Sequence, residues 1–132
     1  MRVLADSHAI LWQSQRSPEL SDVAADALLE AEETDGVVVS VASLIDLWYV
    51  TKTTKAITDA ELAELRETIS ASPELSLQPI DEDVADATTA IPRDLLSDPW
   101  DRFIVATAKV LDVPLVTRDQ AIRDSKLVAT IW

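Results

Sequence analysis

The feature that most constrains this chain is a set of short apolar runs, each passing into a helix through an acid or a hydroxyl. Val3-Leu4-Ala5 ends at Asp6, Val37-Val38-Val39 passes through Ser40, and Leu115-Val116-Thr117 leads to Asp119. Strands without polar alternation belong to a sheet covered on both faces, and strands alternating with helices make that sheet mainly parallel. Asp6 caps a helix from Ser7 to Trp12, and Ser21 to Ala31 carries Val23, Ala27, Leu28 and Ala31 on one side before the Thr34-Asp35-Gly36 turn. Val41 to Lys52 is a strongly apolar helix, and Thr58-Asp59-Ala60-Glu61 is a capping box with Leu62, Leu65 and Ile69 behind it. A strand over Leu75 to Leu77, a helix from Asp81 to Ala90 and a last strand around Leu127 to Ala129 complete the alternation. The expected fold is α/β, one domain over residues 1–132, with a mainly parallel central sheet of four to five strands flanked by helices.

Within this pattern, Asp98 and Pro99 mark a helix start, and the residues after them are nearly all apolar: Trp100, Phe103, Ile104, Val105, Ala106, Ala108, Val110 and Leu111. Such a helix is mostly buried and carries Asp101 with it, and a buried carboxylate needs a cation, a donor or a metal. Asp46 has a similar setting among Leu44, Ile45, Leu47 and Trp48.

In a parallel sheet, residues just after the strands and at the starts of the following helices gather at one edge. Asp6, Asp46, Asp101 and Asp119 would meet there. Ordinary explanations exist beside this one: Asp6, Asp98 and Asp119 as helix caps, Asp46 as part of a Ser43-x-x-Asp46 capping box. Caps leave the apolar settings of Asp46 and Asp101 unexplained. Carboxylates without matching bases suit magnesium or manganese, which take oxygen ligands and can promote phosphoryl chemistry through water. Ser7 and Thr117 could orient a carboxylate or a water, or simply cap. Arg102 would face either a substrate phosphate or a neighbouring acid.

Composition narrows the chemistry further. With no cysteine there is neither a disulfide nor a thiolate site, and the single glycine leaves no room for a glycine-rich phosphate loop. His8, the only histidine, more often packs than reacts. Trp12, Trp48, Trp100 and Trp132 are expected in core and interface roles. The net charge of −13 opposes nucleic-acid binding through general basic attraction. It leaves open an acidic enzyme that meets phosphate through metal ions and a few local cations, among Arg16, Lys52, Lys55, Arg93, Arg102 and Arg118. No signal pattern and no apolar run of membrane-spanning length are present, which gives a cytoplasmic expectation.

Leu4-Ala5-Asp6-Ser7-His8-Ala9-Ile10-Leu11-Trp12, Val39-Ser40-Val41-Ala42-Ser43-Leu44-Ile45-Asp46, Asp98-Pro99-Trp100-Asp101-Arg102-Phe103-Ile104-Val105-Ala106 and Leu115-Val116-Thr117-Arg118-Asp119 together resemble the motifs of PIN-domain proteins. The order and spacing are similar to those of VapC toxins from toxin–antitoxin pairs. The resemblance implies a PIN-like three-layer sandwich and a magnesium- or manganese-dependent endoribonuclease cutting tRNA or rRNA. It also implies a homodimer held inactive by a VapB-type antitoxin. On the matching positions, Asp6 and Asp101 are the principal metal ligands and Asp119 the fourth acid. Asp46 stands where the family usually has glutamate, and Asp98 matches a frequent capping acid. The implied antitoxin cleft lies between Val41 to Lys52 and Thr58 to Ala71, with Leu62, Leu65 and Ile69 as an exposed stripe. The Asp46 departure and the acidic charge point to the alternative, a degenerate domain that only binds protein.

Overall fold

A computed structural model describes residues 1–132. The elements in order are β1 (Val3–Ala5), α1 (Ser7–Gln15), α2 (Asp22–Glu33), β2 (Val37–Ser40), α3 (Val41–Thr53) and α4 (Asp59–Ala71). They continue with β3 (Leu75–Gln78), α5 (Glu82–Ala90), α6 (Pro99–Leu111), β4 (Leu115–Val116), α7 (Gln120–Ser125) and β5 (Thr130–Ile131). The five strands form one sheet in the order β3-β2-β1-β4-β5, and every pairing is parallel. None of the helices is long and apolar enough to cross a membrane.

The central strands show why this is a three-layer arrangement. Side chains alternate along a strand, so Val3 and Ala5 of β1 with Val37 and Val39 of β2 face one apolar cluster, shared with α1 to α4. Leu4 and Val38 face the opposite cluster, shared with Val84 of α5 and Ile104, Val105 and Ala108 of α6. Both strands are therefore buried on two sides, as their all-apolar sequences require.

Helix starts follow local chemistry. Asp6, Ser21, Ser40, Thr58, Asp81, Asp98 and Asp119 each cap a helix by accepting a hydrogen bond from a backbone N–H of its first turn, and Thr58 with Glu61 forms the full capping box. Because Ser40 caps α3 through Ala42 N–H, the Ser43–Asp46 capping box does not form.

Several expectations are corrected. The last strand is Thr130–Ile131, because Leu127 and Val128 pack into the α5–α6 core before the chain reaches register with β4. The buried face of α2 is Ala24, Leu28 and Ala31, while Val23 is exposed. On α4, Leu62, Leu65 and Ile69 are buried with α1 residues in the first core, so they offer no exposed stripe. A helix with a single apolar stripe docks that stripe first. Three exposed large apolar residues, Ile45, Trp48 and Tyr49, lie together on α3.

Gly36 turns α2 into β2 with φ of 97°, and a Cβ there would meet the Glu74 carbonyl oxygen at 3.2 Å. Gly36→Ala should cost about 1–2 kcal/mol, since a side chain at positive φ is strained and here also crowds backbone. Urea unfolding measures it, and an unchanged midpoint would contradict the geometry.

Candidate functional site

The carboxyl edge of the sheet opens into a pocket of 370 Å³ lined by Asp6, Asp46, Asp98, Asp101 and Asp119, with His8, Ala9 and Trp12 of α1, Trp100 of α6, and Arg118. β1 carries Asp6 to its floor. The Asp6 N–H donates to the Val116 carbonyl, which ties this position to the end of β4. Asp6 Oδ1 accepts from the Ser7 N–H at 2.7 Å, and Oδ2 accepts from the Thr117 hydroxyl at 2.6 Å. The Thr117 oxygen in turn accepts from the Asp119 N–H at 3.0 Å. One threonine therefore fixes the spacing between the acids that follow two adjacent strands. Asp119 Oδ1 caps α7 through Ile122 N–H.

Asp101 and Asp46 are held differently. Both are half-buried, and neither side chain accepts a hydrogen bond or joins an ion pair. Burial, then the negative charges of Asp119, Asp98, Asp6 and Asp46, push the Asp101 carboxyl up to about 7. Asp6 is also pushed up, mainly by burial, against the opposing pull of its bonds from Thr117 and Ser7. Five acids thus surround a space with no cation bonded to any of them. No three of them form a close ligand cluster.

The side-chain metal donors lining this space are carboxylate oxygens, with one imidazole. That donor set fits a hard divalent cation such as magnesium or manganese and does not fit a thiophilic metal. Asp6, Asp46, Asp101 and Asp119 could hold it.

Other expected site residues have different places. Asp98 is an exposed cap that accepts from the Asp101 N–H and still reaches the pocket rim. Ser7 meets Asp6 through its backbone, while its hydroxyl, like that of Ser43, is buried without a partner. Arg102 pairs with no acid and does not line the pocket. Its guanidinium donates to the carbonyls of Leu96 at 2.7 Å, Thr88 at 2.9 Å and Ile91 at 2.8 Å, stitching the end of α5 and the following loop onto the start of α6. Of the six basic residues singled out, only Arg118 lines the pocket; Lys52 pairs with Asp59.

His8, Trp12 and Trp100 line the site although the sequence reading placed them elsewhere. His8 and Trp12 lie four apart on α1, with ring centroids 5.2 Å apart, and that helical spacing was the available signal. Trp100 reaches the pocket because it precedes Asp101 in the first turn of α6.

A family model described as PIN domain matches residues 3–126. A search of curated proteins finds no significant match. Among solved structures, the chain is similar to one in VapBC2 from Rickettsia felis bound to a DNA fragment from their promoter, with TM-score 0.72 and 13% identity. That match covers 98% of this chain and 97% of the other. DNA-bound VapBC from Salmonella typhimurium matches with TM-score 0.71 and 18% identity over 98% and 96%. FitAcB from Neisseria gonorrhoeae matches with TM-score 0.66 and 22% identity over 97% and 95%.

Two outcomes are expected. Arg102→Ala should lower stability by about 2–4 kcal/mol, because three backbone acceptors lose a charged donor; a denaturant titration would refute this if the loss were under about 1 kcal/mol. Asp6 and Asp101 bind protons more tightly folded than unfolded. Their stabilising contribution is therefore complete below the ordinary carboxylate range and is lost as pH rises through about 7 for Asp101. In cation-free buffer the thermal midpoint should rise as pH drops from about 8 to about 5.5, less so in Asp101→Asn. A flat profile in the parent protein would rule this out.

Proposed function

The chain belongs to the PIN domain family, and from that premise we propose that it is the toxin of a toxin–antitoxin pair. On this reading it is a cytoplasmic, magnesium- or manganese-dependent endoribonuclease that hydrolyses tRNA or rRNA. The observation that carries the reading is the pocket in which Asp6, Asp46, Asp101 and Asp119 meet without a cationic partner. The VapBC and FitAcB structures that share its fold support the toxin–antitoxin setting.

A divalent cation held by these acids supplies positive charge for the phosphate oxygens and makes an attacking water more acidic. The residues divide the remaining work. Thr117 and the Ser7 amide lock Asp6, and the Ile122 N–H orients Asp119. Asp46 and Asp101, free of such bonds, would accept the proton of the attacking water as its oxygen bonds to phosphorus, while the bond to the leaving ribose oxygen breaks and that oxygen takes a proton from solvent. Arg118 at the rim meets a phosphate of the approaching strand.

Partner surfaces fit the same reading. Exposed Ile45, Trp48 and Tyr49 on α3, with Tyr49 6.0 Å from Trp100 between ring centroids, make an apolar face suited to a second copy. A groove of 290 Å³ between α1 and α4 exposes Glu61 and Glu64 with Gln15 above buried Leu11, Ile57 and Leu65, which suits a basic segment of a VapB-type antitoxin. An arginine from that partner could also fill the acidic pocket.

The competing reading, a domain that only binds protein, is favoured by the lack of a preassembled ligand cluster. Manganese calorimetry separates the two: saturable binding near or below about millimolar supports the nuclease, and none supports the binding module. Asp101→Asn should reduce RNA cleavage by about 10³-fold with an unchanged circular dichroism spectrum, the order expected when charge at a phosphoryl-transfer site is lost. Cleavage within tenfold of the parent would overturn the assignment.

A further inference from the structure

Arg118 is the one cation lining a pocket that holds five aspartates, yet it bonds to none of them. Its Nη1 donates to Glu19 Oε2 at 2.8 Å, and its guanidinium carbon sits 4.4 Å from the centroid of the Trp12 ring. Coulomb attraction alone would draw a flexible arginine in among the carboxylates, where it would cancel the charge a divalent cation needs. Something therefore keeps it out.

Two groups do so, and the backbone joins them. Trp12 is on α1 and Glu19 in the connection to α2. The Ser17 N–H donates to the Trp12 carbonyl at 2.9 Å, and the Ser17 hydroxyl accepts from the Glu19 N–H at 3.1 Å. Ring and carboxylate are thus parts of one small turn, built independently of Arg118, which comes from the far end of the chain. We infer that Trp12 and Glu19 form a holder that keeps the Arg118 guanidinium out of the acidic cluster and at its rim, where a substrate phosphate would pass.

The holder is weak in the way its task requires. Arg118 and Glu19 are 53% and 58% exposed, so water screens the pair and an incoming phosphate can replace the Glu19 carboxylate, one anion for another. The guanidinium keeps its place over the indole face during the exchange, because the phosphate takes over the anchoring that the Glu19 carboxylate gives beside the ring. This inference rests on the metal-nuclease reading for the use of the cluster, though not for the holder itself.

Two measurements test it. In metal-free protein, the Arg118 Nε–Hε NMR signal, identified by its loss in Arg118→Ala, should be displaced upfield by the Trp12 ring current. Glu19→Ala should remove most of that displacement, and a retained displacement would overturn the role of Glu19. In manganese calorimetry, Glu19→Ala should weaken binding by about two- to fivefold, the range of one exposed ion pair, as the released arginine competes for the acids. The double variant Glu19→Ala/Arg118→Ala should bind as tightly as Arg118→Ala alone. Equal affinity of Glu19→Ala and the parent, or weakening that survives without Arg118, would refute the holder. If the parent takes up no manganese, the nuclease reading fails while the NMR measurement still decides the holder.

Discussion

The site depends on the burial of β1 between β2 and β4. Three residues, Val3, Leu4 and Ala5, are fully enclosed and paired in parallel on both sides, with Ala5 opposite Val39 and Val116. A strand so short has no freedom of register, because a one-residue slip would exchange Leu4 with its neighbours across the two cores. That register determines where Asp6 emerges. It also places Thr117 one residue beyond Val116, within reach of the Asp6 carboxylate.

The electrostatic arrangement follows from this geometry. The fold assembles carboxylates at one edge, where burial and then their mutual repulsion raise Asp101. Local donors relieve Asp6 and Asp119 but not Asp46 or Asp101. The arginines do not relieve them either: Arg102 is committed to backbone carbonyls and Arg118 to Glu19. Negative charge is thus stored at one place instead of being cancelled pair by pair. Such an arrangement gives little stability to the chain alone, and its oxygen donors are of the kind that suits a hard cation.

What was legible in the sequence was what short-range chemistry decides. The two-sided strands, the caps at Asp6, Thr58 and Asp98, and the gathering of acids at a sheet edge follow from apolar runs, capping residues and the rule that parallel strands share one direction. What was not legible depended on which face another element covers. Leu62, Leu65 and Ile69 look the same in sequence whether they await a partner or meet α1, and the apolar run of α3 does not reveal that Trp48 and Tyr49 face outward. Arg102 could not be assigned because its acceptors, carbonyls six to fourteen residues earlier, exist as a set only once the loop has folded. At Ser7 the contact with Asp6 comes from the backbone amide, which any residue would supply and which side-chain chemistry does not signal.

The Arg102 clasp also bears on how the molecule opens. By binding the last carbonyls of α5 and the loop beyond, it joins α5, the loop and the first turn of α6 into one cooperative unit, whose amides would exchange with solvent together rather than fray separately. Asp101 rides on that unit, whereas Asp6 belongs to the sheet. The acidic centre is thus assembled from the sheet on one side and the clasped α5–α6 unit on the other, and its spacing is set by the shared core of Leu4, Leu115 and Ile104 that packs one against the other.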